Sequence, residues 1–153
     1  MKRFQYRLET VLDYKTQVLD NLKTEHAVIM QNVNKKQEQI RSLRQELNGY
    51  ESEFDEIKEA GTAIESYRLF DMCIGRMEEI IDEEKERLKV LRKQEDQKKQ
   101  EVIEAKVDTS RYEKLRERKF MEYQRAVAKA DELFVEEFVS GNALRARRYQ
   151  RRG

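Results

Sequence analysis

The chain has 153 residues, of which 41% are charged and 38% are hydrophobic, and it contains no Pro and no Trp. Its 32 basic and 31 acidic residues leave a net charge of +1, so the chain as a whole lacks the positive field that attracts nucleic acid or anionic lipid. Too few residues are apolar for a globular core of ordinary thickness, whereas Pro-free chains rich in Glu, Lys, Arg, Gln and Leu are typical of long helices.

The first predicted element is a long helix over about residues 4–59, which carries an apolar heptad repeat. Such a repeat forms a narrow seam that is stable only against a partner helix. Its a positions are Leu12, Leu19, His26, Val33, Ile40, Leu47, Phe54 and Gly61. Its d positions are Leu8, Lys15, Leu22, Ile29, Lys36, Leu43, Tyr50, Ile57 and Ile64. The polar members Lys15, His26 and Lys36 weaken a coiled coil but restrict its register and partner.

A helix break is predicted over about residues 60–66. Gly61 suits the left-handed conformation that follows a helix C-terminus. Thr62 followed by Glu65 is a capping-box pattern, and Ser66 is a second candidate N-cap. One continuous helix with Gly61 inside it is the alternative.

A second helix is predicted over about residues 66–140. Its seam residues are Phe70, Ile74, Met77, Ile81, Glu84, Leu88, Leu91, Glu95, Lys98, Val102, Ala105, Thr109 and Tyr112. A shifted phase follows at Phe120, Tyr123, Val127, Ala130 and Phe134. This shift indicates a stutter, or a separate helix that starts at Asp108. Gly141 and Asn142 form a candidate C-cap, which leaves residues 141–153 as a frayed basic tail.

These elements predict an all-α fold, an antiparallel two-helix coiled-coil hairpin with a longer second helix, as a single domain over residues 1–153. In this hairpin, residue 4 lies near residue 120, and residues 121–140 have no partner within the chain. That segment is nevertheless apolar. An unpaired apolar helix end implies a bound partner or self-association.

The sequence has one His and one Cys, so it offers few of the side chains used as nucleophiles, bases or metal ligands. The lone His26 cannot form a His-based metal cluster or a triad, and the carboxylates lie on solvated helix faces. We expect no enzymatic activity, no cofactor, no metal site and no small-molecule substrate. The lone Cys73 excludes an internal disulfide and fits a reducing compartment. The N-terminus lacks the apolar region of a signal peptide, and no segment approaches the ~20 apolar residues of a membrane span, so we expect a cytoplasmic protein.

The last twelve residues, 142–153, contain five arginines and no acid, which are Arg145, Arg147, Arg148, Arg151 and Arg152. This segment has three interpretations: a solvated tail, a contact for an acidic protein, or a nonspecific nucleic-acid contact. Only Tyr149 could stack on a base, so the first two are favoured and no nucleic-acid partner is expected.

The string FQYRLETVLDYK at residues 4–15 resembles the start of the FliJ family of bacterial flagellar type III export proteins. Members open with an aromatic-x-aromatic-Arg-Leu pattern, followed by a paired hydrophobe and a basic residue. The resemblance extends over the whole chain, through its length, its central break, Tyr67 and Phe70 at the entry to the second helix, and the late Asp131-Glu132.

The resemblance implies a non-enzymatic, stalk-like coiled coil that enters the hexameric flagellar export ATPase and promotes its assembly and activity. It also implies links to the membrane export gate protein and to export chaperones, with peripheral association at the inner-membrane base of the flagellum. A generic cytosolic coiled-coil adaptor or scaffold is the alternative.

The resemblance and the hairpin together suggest two sets of contact residues. ATPase contacts are expected at the end that holds both termini, on Phe4, Tyr6, Leu8, Tyr123, Val127, Phe134, Phe138, Arg145, Arg147 and Arg148. Export-gate contacts are expected on Gln39, Leu43, Tyr50, Cys73, Met77, Ile80 and Glu84. Leu43, Tyr50 and Met77 also fall on seam positions, so packing within the chain is the alternative for them.

Overall fold

The computed structural model describes residues 2–152 and contains two α-helices there, α1 (Glu9–Ala60) and the longer α2 (Ile64–Arg152). The predicted all-α fold with a longer second helix is therefore confirmed. Residues 61–63 form the turn between the helices. Gly61 has a φ of +81°, a left-handed conformation that glycine adopts without a Cβ clash. The break predicted at Gly61 is confirmed, and one continuous helix is excluded.

The start of the first helix differs from the prediction, because α1 begins at Glu9 and not near residue 4. Residues 2–8 are not helical. The Glu9 N–H donates to the Tyr6 carbonyl at 3.1 Å and closes a turn just before the helix. The aromatic ring of Phe4 packs on α2, and these contacts outweigh the local helical pattern.

Both ends of the second helix also differ from the prediction. The Tyr67 N–H donates to the Ala63 carbonyl at 3.1 Å, so α2 begins at Ile64, ahead of the candidate cap Ser66. At the other end, α2 runs through Gly141 to Arg152, which corrects the C-cap and, over residues 141–152, the frayed tail. Residue 153 of that predicted tail lies outside the described residues. One glycine inside a helix costs only about 1 kcal/mol relative to Ala, and strong helix formers follow it. The helix is also continuous at Asp108, so a separate helix starting there is excluded.

Contacts within the chain divide it into two compact units. We call the described residues of Met1–Gln17 and Lys106–Gly153 the terminal unit, and Val18–Ala105 the turn unit. In each unit, a stretch of α1 packs antiparallel against a stretch of α2. The single domain over residues 1–153 stays a prediction.

The predicted seam is the buried face of the turn unit. The buried a positions on α1 are Leu19, Val33, Ile40 and Phe54, and Ile81 is buried opposite them on α2. The predicted d positions Leu22, Ile29, Leu43 and Ile57 are half-buried. Tyr50 and Ile64 are exceptions, since 43% and 70% of them are exposed, although their positions predict seam residues. Near the turn, the seam is filled by Phe54, whose ring lies 5.7 Å from that of Phe70.

In the terminal unit, the buried residues are Leu12 on α1 and Thr109 on α2. The Thr109 hydroxyl lies 3.4 Å from the Lys15 carbonyl, a long contact between the two helices. Within residues 2–152, neither helix has an apolar stretch long enough to cross a membrane.

Candidate interaction surfaces

Each polar residue on the α1 seam faces a carboxylate on α2. In the turn unit, His26 Nε2 lies 2.8 Å from Glu95, and Lys36 Nζ lies 2.6 Å from Glu84. In the terminal unit, Lys15 Nζ lies 2.6 Å from Asp108. Since each pair has one member on each helix, a shift of one helix along the other would separate all of the partners. These contacts, two ion pairs and the hydrogen bond between His26 and Glu95, therefore fix the register of the helices inside each unit.

These contacts shift the pKa values of their members. Hydrogen bonding from Lys36 lowers the pKa of Glu84, and the charge of Arg87 adds to this effect. Hydrogen bonding to His26 lowers the pKa of Glu95. The pKa of Lys15 is raised by its hydrogen bond to Asp108. All of these shifts favour the charged forms, which is what a stabilising ion pair requires.

The N-terminal segment, residues 2–8, is attached to α2 by aromatic side chains. The Phe4 ring centroid lies 5.1 Å from that of Phe120 and 5.5 Å from that of Tyr123. The Tyr123 hydroxyl donates to the Lys2 carbonyl at 2.7 Å, and the Tyr6 hydroxyl donates to the Tyr112 carbonyl at 3.0 Å. The predicted proximity of residue 4 to residue 120 is thus confirmed.

An open groove lies along this segment in the terminal unit. Its lining includes the apolar Leu8 and Leu115, basic residues such as Arg3 and Lys119, and one acid, Glu122. Apolar surface lined mostly by basic side chains is suited to contact with an acidic, partly apolar protein surface.

Beyond Val127, the terminal unit presents unpaired apolar side chains along α2. We call this set the apolar end, which consists of Leu133, Phe134, Val135, Phe138 and Val139. Phe134 is 69% exposed and Phe138 is 62% exposed. Large apolar side chains that cluster on the surface mark interaction sites.

The residues predicted to contact the ATPase all lie in the terminal unit. Phe4 and Tyr123 are brought into direct contact, while Tyr6 and Leu8 lie beside them along the groove. The remaining predicted residues follow along α2, half-buried at Val127 and exposed at Phe134, Phe138, Arg145, Arg147 and Arg148.

The residues predicted to contact the export gate all lie in the turn unit but have different environments. Tyr50 and Cys73 are exposed, and Gln39 is exposed while it accepts a hydrogen bond from Lys36 at 3.0 Å. Leu43, Met77 and Ile80 are half-buried at the edge of the seam. Glu84 is only 5% exposed and forms ion pairs with Lys36 and Arg87, and its contact with the export gate stays a prediction.

Two exposed apolar residues near Cys73 are absent from the sequence prediction. Leu69 and Met72 are more than half exposed on α2, next to the turn. Both lie off the heptad phase that runs through Phe70 and Ile74. Apolar residues outside the seam phase are the signal that could have identified them.

The fold and these surfaces define an antiparallel helical coiled coil that exposes apolar and basic side chains for contact with other molecules. The family model of the flagellar FliJ protein matches residues 4–148. The chain therefore belongs to the FliJ family, a non-catalytic component of flagellar type III protein export, and the resemblance seen in the sequence is confirmed. Comparison with curated proteins and comparison with solved structures each find no match.

Proposed function

We propose that this chain is a stalk-like component of the export apparatus, whose terminal unit enters the pore of the hexameric export ATPase. There it promotes assembly of the hexamer and raises its activity. The observation that carries this proposal is the apolar end, where Phe134 and Phe138 are both more than 60% exposed. Burial of such side chains in a partner contributes about 1.5–3 kcal/mol each.

The basic side chains of the terminal unit also support its insertion into the ATPase pore. The terminal unit combines the apolar end with Lys2, Arg3 and the arginines of residues 145–152, all exposed. Basic side chains around an apolar contact steer a protein toward an acidic or polar channel and suppress wrong partners. Of the ATPase-contact residues predicted from the sequence, Phe134, Phe138, Arg145, Arg147 and Arg148 belong to this exposed surface.

In this proposal, the turn unit binds the membrane export gate. Its candidate contact surface contains Tyr50, Cys73, Leu69 and Met72, which are exposed on either side of the turn. Export chaperones are further partners in this proposal. The protein works at the inner-membrane base of the flagellum, held there by its partners.

The proposal is tested by the hydrolysis rate of the cognate export ATPase as this chain is titrated into it. Saturable stimulation is expected. The double variant Phe134→Ser/Phe138→Ser should need at least about tenfold more protein for half-maximal stimulation, since it loses two large apolar contacts. Val90→Ser is the matched control, because Val90 is an exposed apolar residue of the turn unit.

Equal stimulation by the double variant and by Val90→Ser would show that the apolar end does not contact the ATPase. Circular dichroism should show unchanged helix content in both variants, because the replaced side chains pack little against their own chain.

A further inference from the structure

The last three turns of α2 carry a block of arginines with no acid among them. Residues 142–152 contain five arginines, all exposed, and none of the five forms an ion pair within the part of the chain that the structure describes. The preceding acid, Glu137, lies about 12 Å from Arg145 along the helix. Charges are screened beyond about 8 Å at physiological salt, so a neighbouring surface meets this local positive charge and not the net charge of the chain.

The five arginines lie on one side of the helix. An α-helix turns by about 100° per residue, which places all of them within an arc of about 160°. Arg145, Arg148 and Arg152 form one row along the helix. Arg147 and Arg151 form a second row beside it. The uncharged residues of the same stretch lie on the other side, and these are Asn142, Ala143, Ala146, Tyr149 and Gln150.

Leu144 lies between the two rows of arginines, and 60% of it is exposed. We call Leu144 and the five arginines the arginine face. Guanidinium groups bind phosphate oxygens in pairs of hydrogen bonds, and an exposed leucine is stabilised by contact with hydrocarbon. Phosphate directly beside hydrocarbon is the chemistry of a phospholipid headgroup layer.

We propose that the arginine face binds the surface of an anionic phospholipid bilayer. The guanidinium groups bind lipid phosphates, and Leu144 enters the boundary between the headgroups and the acyl chains. Clusters of about four to eight basic residues on a helix with an uncharged opposite side are typical of binding to anionic lipid. The helix lies along the bilayer without crossing it.

This lipid contact goes beyond the partners proposed above. The family works in protein export, a process that takes place at a membrane, so a bilayer is close to the protein. Arg145, Arg147 and Arg148 are also among the expected ATPase contacts. A chain bound to lipid through this face therefore leaves the bilayer before it enters the ATPase, and lipid binding supplements the attachment through protein partners.

Duplex nucleic acid is the competing ligand, because it also presents phosphates to arginines. Its backbone offers no hydrocarbon layer, so it would leave Leu144 in water. The exposed leucine in the middle of the arginine face therefore favours the bilayer.

Co-sedimentation of the full chain with vesicles tests this inference without the ATPase, so its outcome is separate from that of the proposed function. The probes are vesicles of phosphatidylcholine with about 30% phosphatidylglycerol, and vesicles of phosphatidylcholine alone. Binding to the anionic vesicles should be at least about tenfold tighter, and it should weaken steeply as salt is added.

Arg148→Gln/Arg151→Gln should weaken binding to the anionic vesicles about 30-fold, because each arginine near such a surface contributes about fivefold. The matched control is Arg118→Gln/Arg125→Gln, which removes the same charge from exposed sites on α2. Arg125 lies about 30 Å from Arg145 along the helix, so the control should change binding by less than about twofold.

Leu144→Gln separates a bilayer from other polyanions. It should weaken vesicle binding about tenfold by removing the apolar contact, and circular dichroism should show unchanged helix content, since Gln is also a good helix former. Binding of the original chain to a DNA duplex should be weaker than to the anionic vesicles and should not change with Leu144→Gln. An excess of soluble glycerol phosphate should not release the chain from the vesicles.

No preference for the anionic vesicles, or equal losses in the two arginine double variants, would overturn the proposal. Vesicle binding that Leu144→Gln leaves unchanged, together with equally tight binding to the duplex, would make the face a general polyanion site. Release by glycerol phosphate would show that a free phosphate group is the ligand, and this too would overturn binding to the bilayer.

Discussion

The Lys36 ammonium lies 2.6 Å from the Glu84 carboxylate, and this pair joins α1 to α2 in the middle of the turn unit. Glu84 is 5% exposed and occupies a seam position between apolar neighbours. A buried carboxylate is costly unless it stays paired and hydrogen-bonded. Lys36 and Arg87 both donate to it, so Glu84 keeps its charge on the seam.

Replacing Lys36 by Met should lower the thermal unfolding midpoint by several degrees, because it leaves the Glu84 carboxylate with Arg87 alone. The double variant Lys36→Met/Glu84→Leu should regain most of that loss, since an apolar pair needs no ionic partner. Circular dichroism melting at neutral pH measures the unfolding midpoints of both variants. Lys89→Met is the control, since it removes an exposed pair with Glu86 and should change little. A double variant as unstable as Lys36→Met would contradict this role for the pair.

Acid should remove the stabilisation that comes from Glu84 and Glu95. Their pKa values are lowered in the folded chain, Glu84 chiefly by Lys36 and Glu95 chiefly by His26. A lowered carboxyl pKa gives stability that is fully present well above the ordinary value of 4.5 and is lost as the pH falls through the folded value. The unfolding midpoint should therefore fall when the pH is lowered from about 7 to about 3.

Glu84→Gln and Glu95→Gln distinguish these two groups from the other carboxylates. Each variant should melt at a lower temperature than the original chain at pH 7 but lose less on acidification. Glu86→Gln, on an exposed carboxylate, should keep the full acid dependence of the original chain. An acid dependence that is the same in all four proteins would show that the seam carboxylates are not its source.

Phe4 should hold residues 2–8 against α2. Phe4→Ala removes the ring that contacts both Phe120 and Tyr123, so the segment should detach without unfolding the helices. Limited trypsin digestion should cleave after Arg7 several times faster in this variant, because local opening exposes the backbone. Phe134→Ala serves as the control and should leave the cleavage rate unchanged. Equally fast cleavage in both variants would show a general effect of removing an aromatic side chain.

Cys73 allows the proposed gate-contact surface to be mapped with one reagent, because it is the chain's lone cysteine and is exposed. A maleimide photo-crosslinker on Cys73 should capture the membrane export gate protein in reconstituted export complexes. Moving the cysteine to an exposed site elsewhere in the turn unit, with Cys73→Ser/Val28→Cys, should reduce that product several-fold. Equal capture from both positions would mean that the surface near the turn has no special contact with the gate.

The heptad pattern predicts the helix pairing, because residues at heptad spacing lie on one face of a helix and that face is buried against the partner helix. Leu12, Leu19, Val33 and Ile40 are assigned to a positions from spacing alone, and all of them are buried in the structure. The turn at Gly61 could also be predicted, because a glycine between two apolar heptad repeats typically follows a helix C-terminus. The spacing also predicts that Lys15, His26 and Lys36 lie on the seam. Their carboxylate partners could not be predicted, because these depend on the register of the second helix.

The ends of the helices were not predictable from local signals. Phe4 and Tyr6 fit the helical pattern, but their contacts with α2 hold residues 2–8 in a non-helical conformation. Gly141 matches a C-cap, but helix formers follow it and the helix continues. The exposed contact surfaces are harder still to predict, because the fold does not constrain an outward side chain such as Met72.

Native mass spectrometry of this chain mixed with the cognate export ATPase tests the stalk-like role most directly. We expect a complex that contains one copy of this chain for each ATPase hexamer, because one pore admits one stalk. The Phe134→Ser/Phe138→Ser variant should lose that complex, and Val90→Ser should retain it. A complex with one chain on every ATPase subunit, or no complex with the unmodified chain, would contradict insertion of the terminal unit into the pore.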